Sequence, residues 1–252
     1  MSSQQDVERD EPVIPFVAPN RSPRVEGIGL MDVTPERAAA RRLAAGLREM
    51  IDLLSRTTAS AEELNRAADA AESFGELLRE LPAGLTYKGF AEAATAGGEL
   101  EGVKPGDDRW NTFFDHSPFI GLANPLSPPL FMEYVEDRVE ATVTFSSAYE
   151  GPPGCVHGGY VAGAFDELLG ATQALSGAQG MTAHLGVDYR RPTPLERELQ
   201  LTGWFDRREG RKIYARGEIR CDGVLTAEAQ GLFIAIEPGH FKALLDERDK
   251  LS

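Results

Sequence analysis

Two stretches within the first hundred residues have the helical spacing of apolar residues. The first opens at Thr34-Pro35-Glu36, where a capping residue precedes a proline and an acid, and the second opens at Ser60-Ala61-Glu62-Glu63, a capping-box pattern. One face of each predicted helix is apolar, through Leu43, Leu47, Met50, Ile51 and Leu54 and then through Leu64, Ala67, Ala71, Phe74, Leu77 and Leu78. The pattern predicts a helical hairpin that ends at Leu81-Pro82 and buries these faces.

From Leu130 onward the period changes to two, which is typical of strands. Strand patterns cover residues 131–145, 182–189, 199–206, 212–220 and 224–236, with hairpin turns at 207–210 and 221–223. A stretch of small and apolar residues from Tyr160 to about Leu175 predicts one long helix between the first two strands. The chain is therefore predicted to be α+β, with a central helix against an antiparallel sheet.

Composition divides the chain into four segments. Residues 1–31 are polar and interrupted by proline, so they are predicted to be a disordered or surface-draped arm. A glycine-rich, charged connection ends near residue 106, which separates a helical extension (32–106) from the sheet domain (107–240) and leaves a C-terminal tail (241–252).

The richest motif is the run from Gly154 to Glu167, which contains a histidine, a glycine pair and a carboxylate at fixed separations. Residues 151–154 (Gly-Pro-Pro-Gly) cannot continue a helix, so the central helix is predicted to start near Gly158. The first amides of a helix lack partners within it, and the helix dipole favours negative charge there. Gly158 and Gly159 are therefore candidates for an oxyanion hole, a pair of amides that stabilises a developing negative oxygen.

Asp166 follows His157 by nine residues, which is about 13 Å along a helix and on the opposite face. One chain does not easily bring the two together. If two copies pair with their central helices antiparallel, the Asp166 of one chain faces the His157-Gly158-Gly159 turn of the other. The motif thus favours a dimer with two composite sites.

The pattern His-Gly-Gly, six residues, then Asp-Glu resembles the hotdog-fold acyl-CoA thioesterases, in particular the PaaI-type branch. Residues 181–195 resemble the family strand that follows the central helix and ends in a Tyr-basic-Arg-Pro turn. The resemblance covers roughly residues 112–237. It implies a hotdog fold, in which the sheet wraps around the central helix, and hydrolysis of acyl-CoA to a free acid and coenzyme A.

The resemblance also implies roles for individual residues. Asp166 is expected to activate water as a general base or to attack the thioester and form an anhydride, and His157 to position the glycine amides or the substrate. Thr182 matches a hydroxyl position that faces the carboxylate. His184 is expected on the same strand face because strand side chains alternate, and it is a candidate substrate-binding residue or second acid-base group, with a structural role as the alternative. Close relatives often carry asparagine at this position. Glu167 points about 100° away from Asp166 and is a backup candidate only.

The charge distribution fits a phosphate-bearing ligand. The formal net charge of −14 argues against nucleic acid as a partner. Residues 186–220 nevertheless contain nine basic and six acidic residues, a local net of +3. Arg190 and Arg191 are therefore candidates for binding the phosphates of coenzyme A, because guanidinium groups bind phosphate oxygens in pairs.

The same composition bounds the setting. No window is apolar enough for a membrane span and the N-terminus lacks an export signal, so no stable membrane insertion and a cytoplasmic location are expected. Cys155 and Cys221 lie far apart without a CxxC partner, so neither a disulfide framework nor a zinc site is predicted. Metal and redox cofactors are not expected.

Other functions stay open at this level. The fold also hosts acyl-CoA hydratases, although the hydratase run Gly-Asp-x-Asn-Pro is absent here. A non-catalytic acyl-CoA sensor that reports to a protein partner accounts better for the extension. Three roles for that extension stay open, namely a cap on the acyl tunnel, a cover for a sheet edge and part of a dimer interface, and packing on the hotdog domain is favoured. A dimer of dimers is as compatible with the sequence as a dimer.

Overall fold

The computed structural model describes residues 34–82, 115–178 and 180–236. Its first helix, α1 (Pro35–Arg56), is capped by the Thr34 side chain, which accepts a hydrogen bond from the Arg37 amide at 3.3 Å. The second, α2 (Ala61–Arg79), begins with a complete capping box between Ser60 and Glu63. Both predicted helix starts are confirmed. The predicted arm (1–31), the boundary at 106 and the tail (241–252) lie outside the described residues.

Six antiparallel strands and one central helix follow. The elements are β1 (Phe131–Val135), β2 (Arg138–Thr144), α3 (Gly158–Thr172), β3 (Gly180–Tyr189), β4 (Glu198–Glu209), β5 (Lys212–Cys221) and β6 (Val224–Ala235). Their order across the sheet is β1-β2-β4-β5-β6-β3, so β1 and β3 are the two edges. Helix α3 starts at the predicted Gly158 and packs on one face of the sheet. This is the hotdog fold.

The single strand predicted over residues 131–145 is wrong, because two strands occupy this range. Val135 pairs with Arg138 across a two-residue turn, and Glu136 has a φ of 55°. A turn with a positive φ usually carries glycine, asparagine or aspartate there. A glutamate in the left-handed region gives no such signal, so the turn was not recognisable in the sequence.

The core lies between α3 and the sheet. Phe165, Leu168 and Leu169 of the helix are fully buried against inward residues of the strands, including Val139, Leu201, Ile213 and Phe233. Two glycines that face each other across β4 and β5 make room for the helix. A Cβ on Gly203 would lie 2.2 Å from the Thr172 hydroxyl, and one on Gly217 would lie 3.0 Å from a Leu168 methyl. The sheet and the helix therefore sit at a distance that larger side chains would not allow.

The same close approach occurs between α3 and the loop that precedes β1, and it gives a stability prediction. A Cβ on Gly163 would lie 2.0 Å from the ring of Phe119. We expect Gly163→Ala to lower the free energy of unfolding by about 1–3 kcal/mol, because the ring must be displaced. Urea unfolding followed by circular dichroism measures this. Gly170→Ala on the same helix is the matched control, since a Cβ there meets open space and alanine favours a helix by up to about 1 kcal/mol. Equal effects of the two changes would contradict the packing.

Helix α1 contacts the sheet domain through the face that carries three arginines and the buried Ala44, not through its predicted apolar face. Arg37, Arg41 and Arg48 donate hydrogen bonds to the loop at residues 115–124. Further along α1, Asp52 accepts from the Ser147 hydroxyl at 3.0 Å. The expected packing on the domain is present, but within one chain most of the predicted apolar face is not buried. Its residues Leu43, Met50, Ile51 and Leu54 are exposed, as is the neighbouring Leu53.

The two N-terminal helices also do not form the predicted hairpin. Helix α2 has no buried residue, and α1 and α2 do not pack along each other. Their linker leaves α1 at Thr57 and enters α2 at Ser60 in extended conformation, which separates the helices. Among the described residues, no helix is long and apolar enough to cross a membrane.

Candidate active site

The start of α3 combines a histidine cap with one unengaged amide. His157 is the N-cap, and its Nδ1 accepts a hydrogen bond from the Gly159 amide at 3.0 Å. The amides of Tyr160 and Val161 donate to the His157 carbonyl. Within residues 34–82, 115–178 and 180–236, no acceptor bonds the Gly158 amide. Of the two glycine amides predicted for an oxyanion hole, Gly158 is thus available to a ligand and Gly159 is engaged by the cap.

Tyr189, at the end of β3, holds this helix start from the other side. Its hydroxyl donates to the Gly158 carbonyl at 2.8 Å. A Cβ on Gly158 would lie 3.3 Å from that hydroxyl, so the tyrosine also limits the space around the glycine. From the sequence, Tyr189 belonged to the Tyr-basic-Arg-Pro turn of the family but had no predicted role. A tyrosine at a strand end carries no pattern that reveals this contact.

Asp166 and Thr182 are brought together in one chain. The Thr182 hydroxyl donates to Asp166 Oδ1 at 2.9 Å, and both side chains are exposed. Thr182 pairs with the buried Phe233 across β3 and β6, so its side chain points to the face on which α3 lies. The hydroxyl fixes the orientation of a carboxylate that still reaches solvent.

The expectation that His184 shares the strand face of Thr182 is wrong. A β-bulge lies between Thr182 and His184, and it shifts the register so that Thr182 opposes Phe233 whereas His184 opposes Leu232. These two partners are neighbours on β6 and point to opposite faces. His184 therefore lies on the side of the sheet away from α3, and within one chain it does not join Asp166.

Glu167 is the half-buried carboxylate of the motif, whereas Asp166 is exposed. Its Oε1 accepts a hydrogen bond from the Ser117 hydroxyl at 3.0 Å, and burial raises the pKa of Glu167 to about 7. The Ser117 bond opposes this shift because it favours the ionised form, and the charge of Asp166 adds to it. From the sequence, Glu167 was only a backup candidate and nothing indicated Ser117, which is fifty residues away.

The two halves of the candidate site lie at opposite ends of α3. Eight residues separate Gly158 from Asp166, about 12 Å along a helix. The free amide and the held carboxylate are thus too far apart to act on one small group in one chain.

Comparisons with known proteins bear on this arrangement. A family model described as the thioesterase superfamily matches residues 153–228. A solved crystal structure of a thioesterase superfamily protein is 36% identical, with a TM-score of 0.64 over 77% of this chain and 94% of that one. The chain belongs to the thioesterase superfamily.

Named relatives of this thioesterase-superfamily chain match it over a shorter range. Acyl-coenzyme A thioesterase THEM4 of Xenopus laevis is 35% identical over 111 residues, which is 43% of this chain and 50% of that protein. The Mus musculus protein of the same name is 33% identical over 43% of this chain and 48% of its own length. The chain spans about half the length of these relatives.

The match to the superfamily covers the motif but not everything that surrounds it. His157, Gly158, Asp166 and Thr182 lie inside residues 153–228. Helix α1 and the loop that carries Ser117 lie outside it. The contacts from this loop to α3 are therefore features of this chain that the family model does not describe.

The two candidate phosphate-binding arginines differ in their surroundings. Arg190 forms an ion pair with Glu228 and a longer one, at 3.6 Å, with Asp188. Arg191 is exposed and has no acidic partner in the described part of the thioesterase-superfamily chain. Both backbone amides donate to the Thr226 carbonyl, which fixes the turn after β3. With respect to the residues that the structure describes, Arg191 is thus the arginine whose guanidinium has no acidic partner and can accept an anion.

Proposed function

We propose that this chain hydrolyses acyl-CoA thioesters to a free acid and coenzyme A. The observation that carries the proposal is the Asp166 carboxylate, exposed on the central helix and held by the Thr182 hydroxyl at 2.9 Å. An oriented carboxylate with solvent access has the geometry of a general base or nucleophile. The names of the matched relatives support the substrate class.

Two copies of the chain complete each site in this proposal. Strand β3 ends the sheet with one unpaired edge, and its residues Met181, Thr182, Ala183 and His184 are all exposed. Long unpaired edges are normally covered, and pairing with a second copy about a two-fold axis covers this one. The Asp166 of one chain then faces the Gly158 amide of the other. A homodimer, or a dimer of such dimers, is the working assembly.

The chemistry follows from these positions. The thioester oxygen accepts from the Gly158 amide, which stabilises the negative charge that develops when the carbonyl carbon is attacked. His157 and Tyr189 hold that amide in place, and Gly159 contributes the amide that locks the His157 ring. In one route Asp166 takes a proton from water, the resulting hydroxide adds to the carbonyl carbon, and the C–S bond breaks as the thiolate takes the proton.

A second route uses Asp166 as the nucleophile. Its carboxylate oxygen adds to the carbonyl carbon, the C–S bond breaks, and water hydrolyses the mixed anhydride. Thr182 positions the carboxylate in both routes. A single turnover in ¹⁸O-labelled water separates them, because only the anhydride route can leave label in the Asp166 carboxylate.

Substrate recognition rests on the turn after β3. Arg191 binds a coenzyme A phosphate in this proposal, whereas Arg190 shapes the turn through Glu228. His184 lies on the face of its own sheet away from α3. In this proposal it contacts the substrate only if the site of another chain lies on that face. Neither the acyl length nor an aryl preference enters the proposal.

The test is release of free thiol from a panel of acyl-CoAs, from acetyl to palmitoyl with phenylacetyl and benzoyl. Hydrolysis of at least one member by the wild-type protein supports the proposal and defines its substrate class. Binding of acyl-CoA without release of thiol would point instead to a sensor module. Hydration of crotonyl-CoA would point to a hydratase.

Mixed chains test whether each site is shared. Asp166→Asn removes the carboxylate, and Gly158→Pro removes the amide, so neither homodimer has a complete site. After subunit exchange at equal amounts, half of the dimers are mixed and one of their two sites is whole, so we expect about a quarter of wild-type activity. Native mass spectrometry confirms the exchange. Exchange without recovery of activity would sink the shared-site arrangement.

A further inference from the structure

A buried carboxylate connects the N-terminal helix to the sheet domain. Asp115, with 2% of its surface exposed, accepts hydrogen bonds from Arg41 Nε at 2.7 Å and from Arg37 Nη1 at 3.2 Å. Hydrogen bonds between ions are about twice as strong as neutral ones, and a buried carboxylate that loses its cations is left unstable. Helix α1 therefore holds Asp115 firmly.

The contact continues along the loop at residues 115–124. Arg48, two turns further along α1, donates to the carbonyls of Asn124 at 2.7 Å and Leu122 at 3.3 Å. Inside the loop, the Ala123 amide donates to the Asp115 carbonyl at 2.8 Å. Three arginines on one side of α1 thus fix both ends of this loop.

The loop contacts α3 through the Ser117 side chain. The Ser117 oxygen accepts from the amides of Phe119 and Ile120, both at 3.2 Å, so its proton is directed to Glu167 at 3.0 Å. One turn earlier on the helix, the Phe119 ring lies against Gly163. Ser117 and Phe119 together pin the loop to the face of α3 that carries Glu167.

Glu167 adjoins the carboxylate of the proposed reaction. It follows Asp166 directly, and its charge interacts with that of Asp166. The groups that act on Glu167 are Ser117 from the loop and Asp166 from its own helix, while Asp115 of the same loop is compensated by Arg37 and Arg41. Neither group that acts on the half-buried Glu167, Ser117 or Asp166, supplies a positive charge that would compensate its carboxylate.

We propose that Glu167 is a positioning residue for the reaction at Asp166, held by Ser117, and that α1 sets this contact by clamping the loop. The inference rests on the proposed thioesterase function and extends it to elements outside residues 153–228, which the family model matches. When Glu167 is ionised, its negative charge favours the step in which Asp166 loses its own charge, by taking a proton or by attacking the thioester. Both routes therefore run faster with Glu167 ionised.

The test is the pH dependence of kcat for the wild type and Glu167→Gln. Glutamine mimics the neutral acid, so the two proteins should have similar kcat near pH 5.5, and Glu167→Gln should fall about three- to tenfold below the wild type near pH 8.5. A merely structural role predicts the same ratio at every pH. A constant ratio would therefore overturn the proposal.

Variants of the loop and of α1 test the clamp. Ser117→Ala should move the step in the wild-type profile to higher pH, because the lost hydrogen bond favours the ionised form. Arg41→Gln should move it in the same direction, although Arg41 does not touch Glu167. Arg42→Gln, an exposed change on the same helix, is the matched control and should leave the step in place. A step that Arg41→Gln does not move would remove α1 from the proposal.

A second readout does not depend on turnover. The Glu167 carboxyl can be titrated by ¹³C NMR in protein labelled at glutamate, with its signal assigned by loss in Glu167→Gln. A higher pKa of Glu167 in Ser117→Ala and in Arg41→Gln supports the proposed contacts from α1 through the loop to Glu167. If the wild type hydrolyses thioesters but Glu167→Gln keeps its pH profile, only the positioning role fails. If the wild type hydrolyses none, the proposed function fails, and with it the role of Glu167 in it.

Discussion

Asp166→Asn is expected to lower kcat for acyl-CoA hydrolysis by about two to four orders of magnitude. Asparagine has the same size and its side-chain oxygen can still accept the Thr182 hydrogen bond at the position now held by Oδ1. The amide can neither take a proton from water nor form an anhydride. The change thus removes the chemistry and keeps the geometry, and thiol release under saturating substrate measures it.

The control for this variant is Asp69→Asn, the same isosteric change at an exposed position on α2. It should leave kcat unchanged, and light scattering should find the same oligomer in all three proteins. Near-normal hydrolysis by Asp166→Asn would exclude the Asp166 carboxylate from the mechanism.

Gly158→Pro is expected to lower kcat by about two to three orders of magnitude, the usual effect of losing one oxyanion donor. Gly158 is the first residue of α3, where proline is tolerated because its missing N–H has no partner within the helix. His157 already has the extended backbone (φ −60°, ψ 132°) that a residue before proline requires. The variant therefore deletes a single hydrogen-bond donor from an intact helix start.

Gly158→Ala provides the comparison, because it retains the amide and adds a Cβ that meets the Tyr189 hydroxyl at 3.3 Å. Any effect of crowding against Tyr189 appears in both variants. The ratio of their kcat values then reports on the amide alone. Equal values would mean that the thioester oxygen is stabilised by some other group.

Local signals predicted the framework well. The caps at Thr34 and Ser60 bond the first amides of their helices, and residues 151–154 before α3 cannot continue a helix. These local signals place the helix starts without knowledge of the fold. Alternation predicted β4 to β6 because one face of each of these strands is buried. The resemblance to the thioesterase family placed a hydroxyl at Thr182 facing Asp166, and the two side chains are hydrogen-bonded.

Features that depend on tertiary contact were missed or misread. The bulge between Thr182 and His184 places the two side chains on opposite faces. It contains no glycine that would have indicated a bulge in the sequence. The polar docking of α1 reverses the usual rule that an amphipathic helix packs by its apolar face, because buried Asp115 recruits its arginines. Ser117 and Glu167 meet across fifty residues, a pairing that no local pattern contains.

The half-buried Glu167 also affects how the free energy of unfolding varies with pH. In an unfolded chain this carboxyl ionises near its ordinary pKa of 4.5, whereas in the folded chain burial raises the pKa to about 7. Between these values the folded state holds the extra proton, so stability is lost as pH rises, by up to about 3 kcal/mol in total. Beside the proposed reactive carboxylate, helix α3 thus keeps a group whose own contribution to the free energy of unfolding is greatest in mildly acidic solution and falls towards neutrality.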